Sequence, residues 1–341
     1  CMKIKKWIAL AAAVVLAVTA LPMGVFAAKK DSTEEKLTKV TLNEVAHSIF
    51  YAPQYVAIEE GYFAEKGLDL TLVTGFGADK TMTAVISGEA DIGFMGAEAS
   101  VYAYQEGATD PVVNFAQLTQ RAGNFLVARE EMPDFKWEDL KGEKVLGGRK
   151  GGMPEMVFEY ILKKNGMDPQ KDLIIDQSID FGSTAAAFTG DDSAAYTVEF
   201  EPSATILEKE GAGYVVASLG EASGYVPYTS YSAKASYMKE NPEIIQKFTD
   251  ALQKGMDYVQ SHTPEEIAEV IAPQFKETDL ETITAIVKRY YDQDTWKENL
   301  IFEKDSFELL QDILEDAGEL TDRTAYENLV QTEYAQKACK N

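Results

Sequence analysis

The sequence has few of the residues that build redox, metal or nucleophilic sites. Its 341 residues include two cysteines, Cys1 and Cys339, and two histidines, His47 and His262. This scarcity excludes a scaffold built on disulfides and a zinc site made of cysteine and histidine ligands. The sequence also has no G-x-x-x-x-G-K-[ST] phosphate loop and no nucleophile-elbow pattern. We therefore expect no catalytic residues, no metal and no cofactor.

Positive charge is scarce as well. The chain has 32 lysines and arginines against 56 acidic residues, for a formal net charge of -24. A field of this sign repels nucleic acid and argues against a nucleic-acid partner. Apolar residues still make up 45% of the chain, which is enough to build cores and excludes disorder throughout. The length fits two domains or one two-lobed unit.

The first 27 residues are typical of a secretory signal. Three lysines precede an apolar run over residues 7–21, and small residues follow up to Ala27. The alternative is a membrane anchor, but the run is about 15 residues long and a spanning helix needs roughly 20. We expect a signal peptide over residues 1–27, export to the periplasm or cell surface, and a flexible polar lead-in over residues 28–39.

The cysteine positions indicate whether a lipid group could anchor the exported chain to the membrane. Cys1 precedes the apolar run, and no cysteine follows that run until Cys339. A lipid-modified cysteine would come directly after the run, so the sequence indicates no lipoprotein signal. The mature chain would keep 29 basic and 56 acidic residues, for a charge of -27.

Beyond residue 40 the pattern alternates between short apolar strands and helices. Helices placed between such strands predict parallel pairing and an α/β fold. From Pro242 onward the pattern is helical, which predicts a helical C-terminal layer. The pattern restarts near Phe125, and a strand near residues 229–232 could return to the first lobe. We expect lobe 1 to comprise residues 40–125 and 229–341, and lobe 2 residues 126–228.

Four predicted strands end in a small or glycine-rich turn that leads into a helix, at residues 75–78, 96–98, 151–153 and 182–184. In open α/β sheets such edges face the ligand crevice, and free N–H groups at helix starts bind acceptor atoms. Helix capping explains any one of these turns alone. Two turns in each lobe indicate a shared cleft. A flat ligand could stack there on Tyr51, at a strand-to-helix turn, or on Tyr228, at the proposed crossing between lobes.

Several segments, taken in order, resemble a known family. Residues 48–57 (SIFYAPQYVA), 60–63 (EGYF) and 67–68 (GL) resemble the opening of ABC-type solute-binding proteins for nitrate, sulfonates, taurine and thiamine pyrimidine precursors. Residues 88–93 (GEADIG), 139–145 (DLKGEKV) and 201–202 (EP) resemble later segments of that family. The resemblance extends over residues 40–252. It implies a two-lobed periplasmic-binding-protein fold, type II-like, that closes on a small-molecule ligand and meets an ABC transporter permease; we expect a monomer.

The candidate ligand-binding residues follow from the turns and the resemblance together. They are Tyr51, Gly75, Ala78, Asp79, Glu98 and Ser100 in the first lobe, Arg149, Gly152, Glu155, Thr184 and Glu199 in the second, and Arg121 and Tyr228 near the crossings.

The glutamates among these candidates bear on the ligand. Buried carboxylates would repel a bare anion but would accept N–H bonds from an aminopyrimidine or an amine. Only Arg121 and Arg149 lie near the candidate turns. The sequence thus favours a heterocycle of the thiamine-precursor type over nitrate, a sulfonate or taurine, and surface solvation of the glutamates stays open. Pyrimidine-forming enzymes related to the family use a cysteine-rich motif, a histidine and pyridoxal phosphate. This chain has no such motif, so we expect no enzyme.

The signal prediction can be checked on exported protein. If residues 1–27 are removed, the mature chain begins at Ala28 and carries the more negative charge. N-terminal sequencing of the secreted or periplasmic protein would show this start. A mature protein that begins at Met2 would contradict the prediction.

Overall fold

The computed structural model describes residues 37–180 and 182–340. The expected signal peptide and nearly all of the expected lead-in lie outside these residues. The last two residues of that lead-in, Thr38 and Lys39, are already part of the first strand. No helix in the described ranges is long and apolar enough to cross a bilayer.

The described strands form two five-stranded sheets. The first sheet has the order β2-β1-β3-β10-β4, and the second has the order β7-β6-β8-β5-β9. The bounds are β1 (Thr38–Glu44), β2 (Leu68–Thr74), β3 (Ile92–Gly96), β4 (Val112–Gln117), β5 (Asn124–Ala128), β6 (Lys144–Leu146), β7 (Ile174–Asp176), β8 (Tyr196–Phe200), β9 (Tyr214–Ser218) and β10 (Thr229–Lys234).

The expectation of parallel pairing is correct for part of each sheet. Strand β1 is parallel to β2 and β3, and β6 is parallel to β7 and β8, because helices connect these strands. Strands β10 and β5 are antiparallel to both of their neighbours. Each of these two strands enters its sheet directly from a crossing between sheets, so no helix reverses its direction.

The helices account for most of the remaining chain. Their bounds are α1 (Ala52–Glu59), α2 (Tyr62–Glu65), α3 (Ala78–Ser87), α4 (Glu98–Gln105), α5 (Met153–Lys164), α6 (Thr184–Gly190), α7 (Ser203–Lys209), α8 (Leu219–Ser223), α9 (Ala235–Glu240), α10 (Pro242–Ser261), α11 (Pro264–Ile271), α12 (Leu280–Asp292), α13 (Lys304–Asp316), α14 (Tyr326–Leu329) and α15 (Glu333–Ala338). A 3₁₀ turn, Ile49–Tyr51, precedes α1.

Local sequence explains where several helices begin and end. Helix α3 ends at Gly88, whose φ of 81° is a left-handed conformation that glycine adopts without strain. Helix α11 begins with a capping box in which Thr263 and Glu266 exchange side-chain and backbone hydrogen bonds. Asp279 caps α12 by accepting from the backbone N–H of Thr282. These signals are local, which is why the sequence can predict them.

The two sheets are connected by a three-stranded ribbon. The chain crosses at residues 118–123 and again at 224–228, where the Val226 N–H donates to the Gln120 carbonyl at 2.9 Å. A third segment, residues 293–297, pairs on the other side: the Gln120 N–H donates to Thr295 O at 2.9 Å, and the Lys297 N–H donates to Leu118 O at 3.2 Å. Phe125 already lies within β5 of the second sheet, so the first crossing ends before it. The assignment of the remaining residues to lobes stays a prediction.

The C-terminal helices do not pack on one lobe alone. Helix α10 lies against α1, α2 and α15 on the side of the first sheet, and α11 packs on α1. Helix α13 packs on α5, which belongs to the second sheet. The expected helical layer therefore contacts both halves of the molecule.

Close packing between α10 and α1 gives a stability prediction. A Cβ added at Gly255, in the middle of α10, would meet the Pro53 carbonyl oxygen and lie 3.1 Å from the Cβ of Ala57. We expect Gly255→Ala to lower the free energy of unfolding by about 1–3 kcal/mol, because the two helices must move apart.

Gly190 offers a matched control. It also lies in a helix, and a Cβ added there would meet nothing within 4 Å, so Gly190→Ala should be neutral or stabilising by up to about 1 kcal/mol. Urea unfolding of both variants checks the pair. Equal stability of Gly255→Ala and the wild type would show that the α1–α10 contact can relax freely.

Candidate functional site

The carboxyl ends of both sheets face each other, and side chains join the two rims. The Tyr102 hydroxyl, on α4, donates to the Gly151 carbonyl in the loop before α5 at 3.0 Å. Asp79, on α3, forms an ion pair with Arg149 of the same loop at 2.6 Å. This bond lowers the pKa of the Asp79 carboxyl, against the opposing effect of its partial burial. The two rims are therefore in direct contact.

Contacts between the lobes continue at the inner end of the cleft. The Ser48 hydroxyl, before the 3₁₀ turn, donates to the Glu201 carbonyl after β8 at 2.8 Å. The Phe50 ring lies 5.8 Å from the Phe200 ring and 5.6 Å, edge-on, from Tyr228. The lobes thus contact each other both at the rims and beside the hinge.

Glu98 is the most unusual side chain in this cleft. It is the first residue of α4, it is 3% exposed, and its carboxyl group folds back over Gly96, where any Cβ would collide with it. Its Oε2 has no hydrogen-bond partner within the described residues, although the backbone N–H groups of Glu98 itself and of Met153, at the start of α5, act to lower the pKa of the carboxyl group. Burial raises the pKa of Glu98 to about 7. One oxygen therefore keeps its hydrogen-bonding capacity.

Aromatic side chains lie near this carboxyl group. Tyr51 is buried, its ring meets Phe94 edge-on at 4.4 Å, and Phe94 stacks on Tyr231 at 4.1 Å. Burial raises the pKa of the Tyr51 hydroxyl, and the charges of Glu44 and Glu98 add to this. Burial also raises the pKa of the Tyr228 hydroxyl, and Tyr51 and the charge of Glu98 add to this. The Tyr228 hydroxyl donates to Asn124 Oδ1. The structure thus brings Tyr51, Tyr228 and Glu98 together.

Glu199 and Thr184 lie together in the second lobe. Glu199, on β8, accepts from the Thr184 hydroxyl at 3.0 Å and from the Thr197 hydroxyl at 2.6 Å. Burial raises the pKa of Glu199 to about 7, although both hydroxyl bonds oppose this. Each carboxyl oxygen of Glu199 already has a donor, in contrast to Glu98.

Glu155 is bound within its own lobe. One of its carboxyl oxygens accepts from the Gly151 N–H at 3.1 Å, and the other accepts from the Gln177 side chain at 2.6 Å. Burial, with a smaller contribution from the neighbouring Glu159, raises its pKa to about 8. Its carboxyl oxygens hold the loop before α5 in place, so we assign Glu155 a structural role in that loop.

The glycines, Ala78 and Ser100 shape the turns. A Cβ at Gly75 would lie 2.6 Å from Asn43 Oδ1, and Gly152 is the N-cap of α5. Ala78 is the first residue of α3, and Ser100 is buried in α4.

Arg121 lies apart from the cleft turns, in the hinge ribbon. Its guanidinium donates to the Gly220 carbonyl at 3.1 Å and covers the Tyr225 ring at 4.3 Å. It lines a surface depression of about 350 Å³ with Glu221 and Asp292, among others. Sequence proximity placed it near the candidate turns, but the hinge backbone directs its side chain elsewhere.

A buried hydrogen-bond network around Glu44 was not predicted from the sequence. Glu44, at the end of β1, is fully buried and accepts from Gln54, Tyr55 and Thr74 at 2.8 to 3.1 Å. His47 Nδ1 lies 2.8 Å from the same carboxyl group, and His47 Nε2 lies 2.9 Å from the Gln274 carbonyl. Glu44, His47 and Tyr55 are close in sequence, which could have suggested a contact. Only the fold shows that all three side chains meet.

Two α/β lobes that meet along polar and aromatic side chains have the two-lobed architecture of periplasmic binding proteins. A family model described as NMT1/THI5 like matches residues 49–267, and the chain belongs to this family. YtlA of Bacillus subtilis (strain 168) is 46% identical over 312 residues, covering 92% of this chain and 93% of YtlA. These relationships confirm the resemblance and the expectation of a binding protein rather than an enzyme.

Two further proteins are similar over much of their length. The riboflavin-binding protein RibY of Chloroflexus aurantiacus (strain ATCC 29366 / DSM 635 / J-10-fl) is 25% identical over 236 residues, 67% of this chain and 65% of RibY. The periplasmic nitrate-binding protein NrtA from Synechocystis PCC 6803 superimposes with a TM-score of 0.70 at 16% identity, covering 89% of both chains. The structural match confirms the expected two-lobed α/β fold.

The His47 contacts give a prediction for pH dependence. Burial lowers the pKa of His47, but its bonds to Glu44 and to the Gln274 carbonyl outweigh this and raise the pKa above 6.5 overall. A raised pKa in the folded state stabilises the fold fully below pH 6.5, and this stabilisation is lost as pH rises through the folded pKa. We expect His47→Gln to cost about 1 kcal/mol at pH 6 and less at pH 9.

Urea unfolding of the wild type and His47→Gln at several pH values measures this difference directly. Because other titrating groups are common to both proteins, they cancel in the comparison. A difference that grows with pH would contradict the assignment of a protonated His47 bound to two acceptors.

Proposed function

We propose that this protein is an extracytoplasmic receptor that captures a small, flat, N–H-bearing heterocycle between its lobes and delivers it to an ABC importer. A thiamine-pyrimidine precursor or a flavin has this chemistry. The unpartnered, buried Oε2 of Glu98 carries the proposal. A buried carboxylate oxygen without a donor costs free energy, and an N–H group of a ligand would supply the missing bond.

The rings around Glu98 support the same chemistry. The buried Tyr51 and Tyr228 lie near enough for the charge of Glu98 to act on their hydroxyl pKa values, and the Phe94 ring meets Tyr51 edge-on. A flat heterocycle can stack on such rings while its edge donates to the carboxylate. Similarity to RibY, whose name describes riboflavin binding, favours a fused heterocycle of this kind.

A nitrate, sulfonate or taurine ligand is the second candidate, supported by the likeness to NrtA in fold. The start of α5 could bind an anion through its N–H groups. However, the Met153 N–H there already meets Glu98, and Arg149 is paired with Asp79. An anion would have to displace both partners, so this candidate is weaker.

The ligand class can be tested directly. Mass spectrometry of small molecules released from purified protein identifies what it carries. Calorimetry with riboflavin, 4-amino-5-hydroxymethyl-2-methylpyrimidine, taurine and nitrate then ranks the classes. We expect binding of at least one of the two heterocycles near micromolar Kd, about -8 kcal/mol. Binding of taurine or nitrate alone would favour the second candidate.

The role of Glu98 gives a pH prediction. Because its pKa is raised to about 7, the carboxylate needed to accept an N–H bond forms as pH rises through 7. We expect the affinity for the heterocycle to increase between pH 6 and 8. In Glu98→Gln it should fall by about tenfold or more, as for a lost hydrogen bond to a charged group, and lose its pH dependence.

Glu199→Gln is the matched control for this experiment. Glu199 has a similarly raised pKa, but both of its oxygens already accept hydroxyl bonds. This variant should retain the rise in affinity with pH. A pH dependence that persists in Glu98→Gln and disappears in Glu199→Gln would assign the anchoring role to the wrong carboxylate.

A further inference from the structure

Helix α12 lies between the two lobes although it belongs to the C-terminal layer. On one side it packs against α11 and against the 3₁₀ turn that contains Phe50 and Tyr51. The ring of Tyr290, on α12, is 5.3 Å from the Phe50 ring. One face of α12 therefore rests on first-lobe residues that line the cleft.

The other side of α12 is bound to α7 of the second lobe at both ends. Near the end of the helix, Arg289 forms ion pairs with Glu201 at 2.6 Å and with Glu208 at 3.2 Å. At its start, the N-cap Asp279 pairs with Lys209 at 3.3 Å. These ion pairs connect both ends of α12 to the last two residues of α7 and to Glu201, which precedes α7.

Glu201 joins the three parts of the molecule. Its side chain is fully buried and accepts from Thr205 of the second lobe and from Arg289 of α12. Its carbonyl accepts from the Ser48 hydroxyl of the first lobe at 2.8 Å. The Tyr290 hydroxyl accepts from the Glu201 N–H at 3.4 Å and donates to the Gly123 carbonyl in the hinge at 2.8 Å.

We propose that α12 is the element that holds the lobes closed, with Arg289 as the positioning residue that ties the second lobe to it. This inference rests on the proposed function, because lobe closure is how the cleft would retain its ligand. When the second lobe swings away, Glu201 must leave either Ser48 or Arg289. Arg289 therefore acts on the cleft through Glu201 and through the turn before α1, without touching the ligand.

The Arg289 bonds bias the equilibrium between open and closed forms. A contact made only in the closed form raises the closed population, and the apparent affinity for a ligand rises with that population. Lys288, the preceding residue on the same helix, pairs instead with Asp292 on the exposed surface. It provides a matched control of the same charge.

The first experiment needs no ligand. Spin labels at Glu89→Cys and Lys141→Cys, both exposed positions on different lobes, report the distance between the lobes in the full chain carrying Cys1→Ser and Cys339→Ser. We expect Arg289→Met to move the distance distribution toward longer values and Lys288→Met to leave it unchanged. Identical distributions in the two variants would overturn the proposal.

A second variant guards against misfolding. Arg289→Met leaves the buried carboxyl group of Glu201 without its cation, which can unfold the second lobe. The double variant Arg289→Met with Glu201→Gln removes both charges and keeps an oxygen that can accept from Thr205. It should also open the lobes while retaining a cooperative unfolding transition. A folded double variant with the wild-type distance distribution would contradict the proposal that α12 holds the lobes closed.

Riboflavin and the aminopyrimidine serve as probes for the link to binding. We expect the double variant to bind the better of the two about five- to tenfold more weakly, with a faster dissociation rate. If neither probe binds to any variant, the ligand class is wrong, and the distance measurement still decides the role of α12. Unchanged affinity in a variant whose lobes have opened would overturn the coupling to the site.

Discussion

Burial of carboxyl groups at the carboxyl ends of both sheets is the constraint on which this structure depends. A buried carboxylate is tolerated only when donors or cations replace its water. Glu44 has side-chain donors from β2 and α1, Glu199 has two threonine hydroxyls, and Glu201 has Arg289 and Thr205. Glu98 alone of these keeps an oxygen without a donor. The satisfied groups hold neighbouring elements together, and the unsatisfied group is the one to which we assign the ligand contact.

The hinge and the C-terminal helices together position the two lobes relative to each other. Residues 293–297 add a third strand to the two crossings, and they directly follow α12. The segment that lines the hinge is thus a continuation of the helix that touches both lobes. Cleft, hinge and α12 are one connected structure, because Tyr290 contacts Phe50, Glu201 and Gly123 at once.

Local signals made much of the fold predictable, and distant contacts account for what was missed. The bounds of α3, α4 and α13 follow from glycine stops and apolar spacing, and the turn that carries Glu98 was visible as a glycine-rich strand end. Antiparallel insertion of β5 and β10 and the placement of Arg121 in the hinge depend on chain crossings, and the bond from His47 to the Gln274 carbonyl joins residues far apart in sequence. Short-range periodicity carries no information about such crossings. The structure groups Tyr51, Glu98 and Tyr228, and the ligand contacts themselves stay a prediction.

The strand order also sets an order of assembly. All strands of the second sheet lie between residues 124 and 218, whereas the first sheet receives β10 only from residues 229–234. Until β10 pairs, β3 and β4 lack the strand that lies between them in the finished sheet, and their edges are open. Because pairing over long sequence separations forms slowly, we expect the second lobe to fold as the more local unit and the first sheet to be completed when β10 pairs. Open edges of this kind also favour association with other chains, so the first lobe is where an incompletely folded molecule is most exposed.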